Sequence, residues 1–526
     1  MSMVGEGSDL DGTVTAGDAV TVQRFDVVIF GGGIAGIAIA ELLSRLTPLR
    51  ILVLEREASL GMGASSRLEG WYHTGALYAG VQDPQILINC LNSLEDLYNN
   101  YGAHSRFNGS LVQKKKVFTP MIQKQEDPIE RWFNAHPVYF ILPEESATDF
   151  RSRPINQYQL WRLQRSLLIH RLRNSFIAHN WQNKRGYCEA PKIKQLEENW
   201  AETVSEGLNL KLGARFKATS PIAKKLEKYC RAYDRGGKYE FFKSLDCSMN
   251  PDRILKDLVA SSLNSGRVTF RRGVTLKEVI AVNREAINGV VFEESDGRTV
   301  HAKADFFVVA SGANIRDLGG QNLFPTNKKV KSVQSAMVVV KPALEKLNFV
   351  RMALDHRYHF NHFYREYDHE GVRGDYSLLA DSGYLEEREG SSSQSADHIL
   401  RQAEKYFGRE TLYGRDVYEY GCFKTEYLPE ESEKRSYSYW VEYETGDNYV
   451  HVLPGKFSLF PSVALQTYRR IMEKNCFGKR QSDWPSWLEV KEFLQGKKLD
   501  IADDALRKAE EYVAPPFPQS IVTMRP

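Results

Sequence analysis

The sequence feature that most constrains the fold is a glycine-rich turn between a predicted strand and a predicted helix. Residues 25–30 form a short apolar run rich in β-branched residues, typical of a buried parallel strand. The pattern GxGxxG follows directly, and residues 34–46 then carry Ala, Ile and Leu at helical spacing. A second apolar run, residues 50–54, ends at Glu55. The segment therefore predicts one βαβ unit of about 30 residues.

The glycines of this turn predict a site for a dinucleotide. Gly31 permits the tight turn, Gly33 lets the backbone approach a pyrophosphate, and Gly36 allows the helix to pack closely on the strand. The helix N-terminus, at Ile34 and Ala35, adds partial positive charge that favours phosphate groups. Together these features predict a Rossmann-type nucleotide-binding domain.

The residue at the end of the second predicted strand helps to indicate which nucleotide the chain binds. Glu55 lies 19 positions after Gly36, where a carboxylate binds both hydroxyls of the adenosine ribose. A carboxylate at this place disfavours a 2′-phosphate, and therefore disfavours NADP. Arg56 follows Glu55 and is also predicted to be a cofactor-binding residue. The motif alone does not distinguish FAD from NAD.

Length and composition exclude several classes of protein. A chain of 526 residues favours two connected domains over a single core. The formal net charge of +3 gives no reason to expect a nucleic-acid partner. The six cysteines include no CxxC pair, which favours a reduced, cytoplasmic protein without a metal site or a disulfide framework. No apolar stretch is long enough for a membrane span, whereas peripheral membrane contact and oligomerisation stay open.

A second group of predicted strands returns the chain to the nucleotide site. Three short alternating segments predict neighbouring strands: residues 279–281, 287–291 and 299–302. Val274, just before them, is included in the predicted cofactor site. Residues 305–310 predict a buried strand that ends on Ser311 and Gly312, which brings these two residues to the same site.

The remaining chain predicts an α/β fold with an interleaved, mostly antiparallel β substrate domain. Residues 330–450 are rich in Tyr, Phe and His and contain alternating patterns. Residues 160–177 predict a helix, either an ordinary surface helix or, from its arginines beside an apolar face, an interfacial one. Residues 1–22 are acidic and glycine-rich and predict a flexible tail.

A family resemblance begins a few residues beyond the second strand. The residues that carry it are Ser65, Ser66, Arg67, His73 and Tyr78. Their order and offsets resemble the flavin-contacting segment of FAD-dependent glycerol-3-phosphate dehydrogenases. That family belongs to the D-amino-acid-oxidase-like superfamily, with L-2-hydroxyglutarate dehydrogenases and glycine and sarcosine oxidases. The resemblance implies FAD as the cofactor.

Three later segments extend this resemblance. Residues 308–313 are similar to the strand and glycine turn that returns to the FAD. A turn before the last predicted helix is similar to the family's Gly-Lys-Leu-Thr turn: Gly455, Lys456, Phe457 and Ser458. Lys424 and Arg435 fall where the family places two substrate-side arginines. A lysine keeps the charge but loses the bidentate fork of arginine.

The resemblance also implies a GR2-like flavoprotein fold in which both domains are discontinuous. The FAD-binding domain is predicted to comprise residues 23–110, 246–328 and 446–526. The substrate domain is predicted to comprise residues 111–245, which include a family-specific insertion, and residues 329–445.

Flavin-dependent oxidation needs a positioned substrate, a base and stabilised negative charge. The turn that contains Gly455 precedes a helix, so its N–H groups and Lys456 are candidates for stabilising a reduced flavin. His73 is a candidate base, or a packing residue of an aromatic segment. Lys424 and Arg435 are candidates for holding the substrate's negative charge.

A second set of candidates follows from strand alternation in residues 356–365. On a strand, one face carries Arg357, His359, Asn361, Phe363 and Arg365. This face is suited to an anionic substrate over the flavin, and histidine titrates in the range suited to accept a hydroxyl proton. A polar outer sheet face with stacked aromatic rings is the alternative.

The leading hypothesis is an FAD-dependent dehydrogenase or oxidase. It would transfer hydride from a small anionic hydroxy substrate, similar to glycerol 3-phosphate or a 2-hydroxy acid, to flavin N5. Two alternatives stay open: an amine or amino-acid oxidase on the same scaffold, and a flavoprotein with structural FAD in a binding or assembly role. The electron acceptor, oxygen or quinone, also stays open.

Overall fold

The structure, a computed structural model, describes the nucleotide-binding core and parts of the remaining chain. The described residues are 21–73, 84–101, 132–144, 221–233, 238–282, 286–315, 329–352, 358–369, 372–381, 392–428, 439–442, 446–487, 489–490, 493–494, 499–515 and 522–523. Several predicted features lie outside these ranges, namely residues 1–20 of the tail, the helix at 160–177, Tyr78, Arg357 and Arg435.

The helices and strands of the described residues are as follows. The helices are α1 Ile34–Leu46, α2 Pro84–Tyr101, α3 Pro221–Tyr233, α4 Pro251–Asn264, α5 Ser392–Phe407, α6 Phe460–Lys474 and α7 Asp503–Tyr512. The strands are β1 Thr21–Arg24, β2 Val27–Phe30, β3 Ile51–Leu54, β4 Trp71–Tyr72, β5 Phe133–Glu144, β6 Lys238–Met249, β7 Val268–Arg271, β8 Thr275–Ala281, β9 Ile287–Glu293, β10 Thr299–Lys303, β11 Phe306–Val309, β12 Lys329–Lys341, β13 Asn348–Met352, β14 Tyr358–His369, β15 Val372–Ala380, β16 Asp416–Leu428, β17 Trp440–Val441, β18 Tyr449–Leu453 and β19 Val522–Thr523. None of these helices is long and apolar enough to cross a bilayer.

The predicted βαβ unit forms the centre of a parallel sheet. In the described part of the chain its order is β17-β18-β11-β2-β3-β7, and only β17 is antiparallel to its neighbour. Every residue of β2, β3 and β11 is buried, as expected for strands covered on both faces. Helices α1, α4 and α6 pack on one face, and a smaller sheet packs on the other.

The smaller sheet has the order β1-β10-β9-β8 within the described residues. It confirms the three neighbouring strands that were predicted between residues 279 and 302. The tail was predicted to end at residue 22, which is two residues too far, because Thr21 and Val22 already pair with β10. These two β-branched residues start the edge strand β1.

A third, mostly antiparallel sheet confirms the predicted β architecture. Its order in the described ranges is β19-β16-β12-β15-β14-β13-β5-β6-β4, with β5 and β13 parallel. Helices α3 and α5 cover one face, on which Phe360 of β14 is fully buried. The opposite face carries Phe363, which packs near Trp71. Strand β14 therefore alternates between two buried faces.

The predicted division into two domains stays a prediction. Strands β2, β3, β7, β11 and β18 of the parallel sheet come from the segments predicted to bind FAD. Strand β4 and the last residues of β6 also come from those segments, but they belong to the mostly antiparallel sheet. Residues 71–72 therefore cross from the nucleotide site to the edge of the other sheet.

Candidate active site

A cavity of about 770 Å³ runs along the carboxyl ends of the parallel strands. Its wall includes the residues at the ends of four of them: Gly31, Glu55, Ser311 and Pro454. Ligands of open α/β sheets bind at this edge, and the volume is in the range of cofactor sites. The far end of the cavity reaches Lys424 on β16 of the mostly antiparallel sheet.

The glycine turn has a geometry that larger residues do not fit. Gly31 has φ of +108°, in the region that favours glycine. A Cβ on Gly36 would lie 2.0 Å from the carbonyl oxygen of Gly31, so α1 approaches the turn as closely as backbone allows. Gly36 lies behind the cavity wall, whereas Gly31, Gly33, Ile34 and Ala35 line it.

The N-terminus of α1 presents backbone N–H groups to the cavity. Its N-cap is Gly33, which makes no side-chain cap. The N–H of Ile34 donates to Ser65 Oγ over 2.9 Å, and Ala35 follows at the cavity wall. A helix start of this kind carries partial positive charge and suits a phosphate group.

The carboxylate of Glu55 is fixed by the backbone. Oε2 accepts the N–H of Gly32 over 2.7 Å, and Oε1 accepts the N–H of Glu57 over 2.9 Å. Burial raises the pKa of Glu55, and these hydrogen bonds oppose the shift only in part. Arg56 also lines the cavity, and its guanidinium lies 2.9 Å from the carboxylate of Glu57.

Three more predicted residues meet at this edge. Val274 is buried, and its N–H donates to the carbonyl of Glu55 over 3.1 Å. Ser311 and Gly312 follow β11, and Gly312 has φ of +58°. The Oγ atom of Ser311 is buried and has no hydrogen-bond partner in the described part of the chain, so a bound group would satisfy it.

The predicted C-terminal turn closes the cavity from β18. Gly455 has φ of +62°, and Lys456, Phe457 and Ser458 follow it at the cavity wall. A 3-10 turn, Phe457–Leu459, leads directly into α6. The Oγ atom of Ser458 is buried without a hydrogen-bond partner among the described residues. This turn therefore lies at the cavity wall directly before α6.

His73 lies at the same end of the cavity as the turn. Its ring centroid is 4.4 Å from that of Trp71, and its Nδ1 atom is 4.0 Å from the Asp246 carboxylate. Trp71 Nε1–H donates to Asp246 over 2.7 Å. Burial lowers the pKa of His73 well below its ordinary value, and the charges of Lys456 and Lys424 lower it further. The imidazole is therefore neutral near pH 7.

Lys424 forms an ion pair with an acidic residue of the cavity wall. Its Nζ atom lies 3.2 Å from Oε1 of Glu69, and both residues line the wall. Arg67 lines the same wall, but Ser66 does not. The structure thus brings Arg67, His73, Lys424 and Lys456 to one cavity.

The second predicted set is only partly described. Arg357 lies outside the described residues, and only the backbone of His359 is described, in β14. His362 lies on the opposite face, where it contacts the Leu347 carbonyl and Ser377 Oγ at 2.6 and 2.7 Å. Burial lowers the pKa of His362 to about 4, consistent with a neutral packing residue.

Sequence reasoning missed Glu69, Trp71 and Asp246. Glu69 and Trp71 sit inside the segment that carried the resemblance, so inspecting every residue between Arg67 and His73 would have found them. Asp246 is far from them in sequence, and no local pattern connects it to His73. Its position follows from the pairing of β4 with β6.

A parallel sheet with a glycine turn, a helix start and an acidic residue at its carboxyl edge defines the class of dinucleotide-binding proteins. The family model described as FAD dependent oxidoreductase, DAO, matches residues 26–455. The chain belongs to this family of FAD-dependent oxidoreductases, and its cofactor is FAD. No curated protein gives a significant match to the chain.

Solved structures with a similar fold include several flavoenzymes. Glycine oxidase from Geobacillus kaustophilus is 14% identical with a TM-score of 0.50, covering 86% of this chain and 95% of that one. Glycine oxidase from Bacillus cereus is 13% identical with a TM-score of 0.50, covering 86% and 98%. Glycerol-3-phosphate dehydrogenase from Bacillus halodurans is 13% identical with a TM-score of 0.46, covering 93% and 76%. At these identities the two glycine oxidases show a shared fold.

Proposed function

We propose that this oxidoreductase oxidises a small anionic hydroxy compound, either a 2-hydroxy acid or a compound similar to glycerol 3-phosphate. The observation that carries the proposal is that His73, Lys424 and Lys456 line one cavity, where burial and the two lysine charges keep the imidazole neutral. A group that accepts a hydroxyl proton must itself be unprotonated, and a cation can bind the anionic group of a substrate.

The residues of the chain have distinct roles in this proposal. FAD, when bound, supplies the hydride acceptor, flavin N5. Lys424 attracts the anionic group of the substrate. His73 accepts the hydroxyl proton at a ring nitrogen, and Asp246 and Trp71 hold its ring. Lys456 and the turn that leads into α6 stabilise negative charge at the same end of the cavity.

The part of the cavity next to the glycine turn is suited to bind FAD. The start of α1 and Arg67 are proposed to hold the pyrophosphate. Glu55 is proposed to accept the ribose hydroxyls, and Val274 to pack beside the adenosine. Ser311 and Ser458 offer buried hydroxyl groups for polar atoms of the cofactor.

One observation favours a second candidate, an amine or amino-acid oxidase. Glu69 lies beside Lys424, so the site offers a negative and a positive charge 3.2 Å apart. A zwitterion would meet a partner for its ammonium as well as for its carboxylate.

Anaerobic reduction of the flavin distinguishes these two candidates. The purified protein is mixed with glycerol 3-phosphate, 2-hydroxy acids and amino acids in turn while the visible flavin absorption is recorded. Bleaching by a hydroxy compound supports the proposal. Bleaching by amino acids alone would assign the second candidate. The same reduced protein, mixed with oxygen or a soluble quinone, identifies the electron acceptor.

A further inference from the structure

One buried face of helix α2 is polar. At helical spacing it carries a stripe of four polar side chains, each 5% exposed or less: Asn89, Ser93, Asp96 and Asn100. Burying a polar side chain is unfavourable unless the group is hydrogen-bonded, so an apolar face would pack more favourably. The stripe is therefore expected to make contacts that apolar side chains cannot make.

Ser93 connects this helix to the turn at residues 455–458 of the cavity wall. Its Oγ–H donates to the backbone carbonyl of Ser458 over 2.7 Å, and both residues are buried. The following N–H group, that of Leu459, donates to the carbonyl of Lys456 over 3.1 Å. The peptide group between Ser458 and Leu459 is therefore held at both of its polar atoms, at one by α2 and at the other by the turn itself.

The side chain of Ser458 belongs to the cavity wall. Ser458 lines the cavity, and its Oγ atom is buried without a hydrogen-bond partner among the residues that the structure describes. Because Ser93 binds the carbonyl of the same residue, Ser458 cannot rotate without breaking that hydrogen bond. Polar groups stabilise a developing charge best when they are held in place before the charge forms.

The start of α6 is tied to the same face of α2. The Oγ–H of Ser462 donates to Oδ2 of Asp96 over 2.5 Å, and both residues are fully buried. The Nδ2 atom of Asn100 lies 3.5 Å from the carbonyl oxygen of Pro461. These contacts do not involve Ser93, so loss of its hydroxyl is expected to release the turn at residues 455–458 without displacing α6.

We propose that Ser93 is a positioning residue of this oxidoreductase, which fixes the turn at residues 455–458 in the place where the turn stabilises the reduced flavin. Ser93 is not part of the cavity wall, so it acts through Ser458 and not by contact with FAD or substrate. The inference rests on the part of the proposed function that assigns Lys456 and this turn to stabilising negative charge. It does not depend on which substrate is oxidised.

The redox equilibrium of the bound flavin tests the proposal without any substrate. The FAD-containing protein is reduced slowly and anaerobically beside a reference dye, and the ratio of reduced to oxidised flavin is recorded where the two dye forms are equal in amount. Ser93→Ala is expected to lower this ratio at least about threefold, because a turn that has lost one hydrogen bond stabilises negative charge less well. Ser93→Thr keeps the hydroxyl and is expected to keep the ratio.

Two further variants separate an effect on position from an effect on stability. Ser262→Ala removes an equally buried hydroxyl, which donates to the Leu258 carbonyl over 2.8 Å within α4. It is expected to lower the denaturation midpoint as Ser93→Ala does, but to leave the flavin ratio unchanged. If Ser93→Ala does not retain flavin, Ser93→Cys takes its place with the same expected direction, because a thiol is a weaker donor than a hydroxyl.

The outcomes separate the role of Ser93 from the role of the turn. An unchanged ratio in Ser93→Ala, together with a lowered ratio in Lys456→Gln, would overturn the role of Ser93 and leave the proposed role of the turn in place. An unchanged ratio in both variants would overturn both roles. An equal decrease in Ser262→Ala or in Ser93→Thr would also overturn the proposal, because the decrease would not depend on the Ser93 hydroxyl.

Discussion

The imidazole of His73 is the residue on which the proposed chemistry depends. It is buried at the cavity, and two lysine charges oppose its protonation. A neutral imidazole over the physiological pH range accepts a proton without first losing one. The pH at which the enzyme loses activity in acid therefore reports on the surroundings of His73.

Replacing Lys424 by Gln removes one charge that opposes protonation of His73. The pKa of His73 is expected to rise toward its ordinary value of 6.5. The acid limb of the pH profile for flavin reduction, measured at saturating substrate, should move to higher pH. Lys456→Gln is expected to move it further, because Lys456 is the larger of the two charge effects. An acid limb that is the same in both variants and the unchanged protein would contradict this role.

The lowered pKa of His73 also makes the folding stability depend on pH, with lower stability in acid. The unfolded chain binds a proton at His73 below pH 6.5, whereas the folded chain does not. Folding stability is therefore lost as the pH falls through that value. His73→Gln is expected to remove this part of the loss. Free energies of unfolding at pH 7.5 and 5.5 measure it, and an equal loss in both proteins would count against the lowered pKa.

At the scale of elements, helix α1 and the turn before it form a single unit. Gly36→Ala would place a methyl group 2.0 Å from the Gly31 carbonyl oxygen. Such overpacking is expected to lower the free energy of unfolding by about 3 kcal/mol or more. It is also expected to lower the FAD content, because α1 moves away from the turn. Gly63→Ala is a matched control for stability, since its Cβ would meet nothing within 4 Å of the described protein. Because Gly63 lines the cavity, flavin content is compared with that of the unchanged protein. Denaturation midpoints of both variants and the flavin content of Gly36→Ala check this.

Substitutions on the two faces of strand β14 are expected to have different effects. Phe360 is fully buried against α5, with its ring centroid 4.9 Å from that of Tyr406. Phe360→Ala is expected to cost about 3–5 kcal/mol of stability with little change in the flavin spectrum. Phe363 lies 5.7 Å from the ring of Trp71 on the other face. Phe363→Leu is expected to cost less stability but to perturb the flavin spectrum through Trp71. Equal spectra for both variants would contradict this division.

At the scale of the whole molecule, the predictions that the structure confirms rest on local patterns. The strand at residues 25–30, the turn at Gly31 and the helix after it are consecutive in sequence, so periodicity and glycine spacing predict them. The pairing of Glu69 with Lys424 and the approach of Asp246 to His73 join residues far apart in sequence. Strand order decides such contacts, and strand order is not visible in the sequence of any one strand.

Rapid anaerobic mixing of the FAD-containing protein with a 2-hydroxy acid tests the proposed site most directly. The flavin absorption near 450 nm is expected to bleach in the unchanged protein, roughly a hundredfold more slowly in His73→Gln if the base supplies its typical share of catalysis. Lys424→Gln is expected to require a higher substrate concentration, because the cation that attracts the carboxylate is gone. Bleaching at the same rate in His73→Gln, or no bleaching of the unchanged protein by any 2-hydroxy acid or by glycerol 3-phosphate, would contradict the proposed reaction at this cavity.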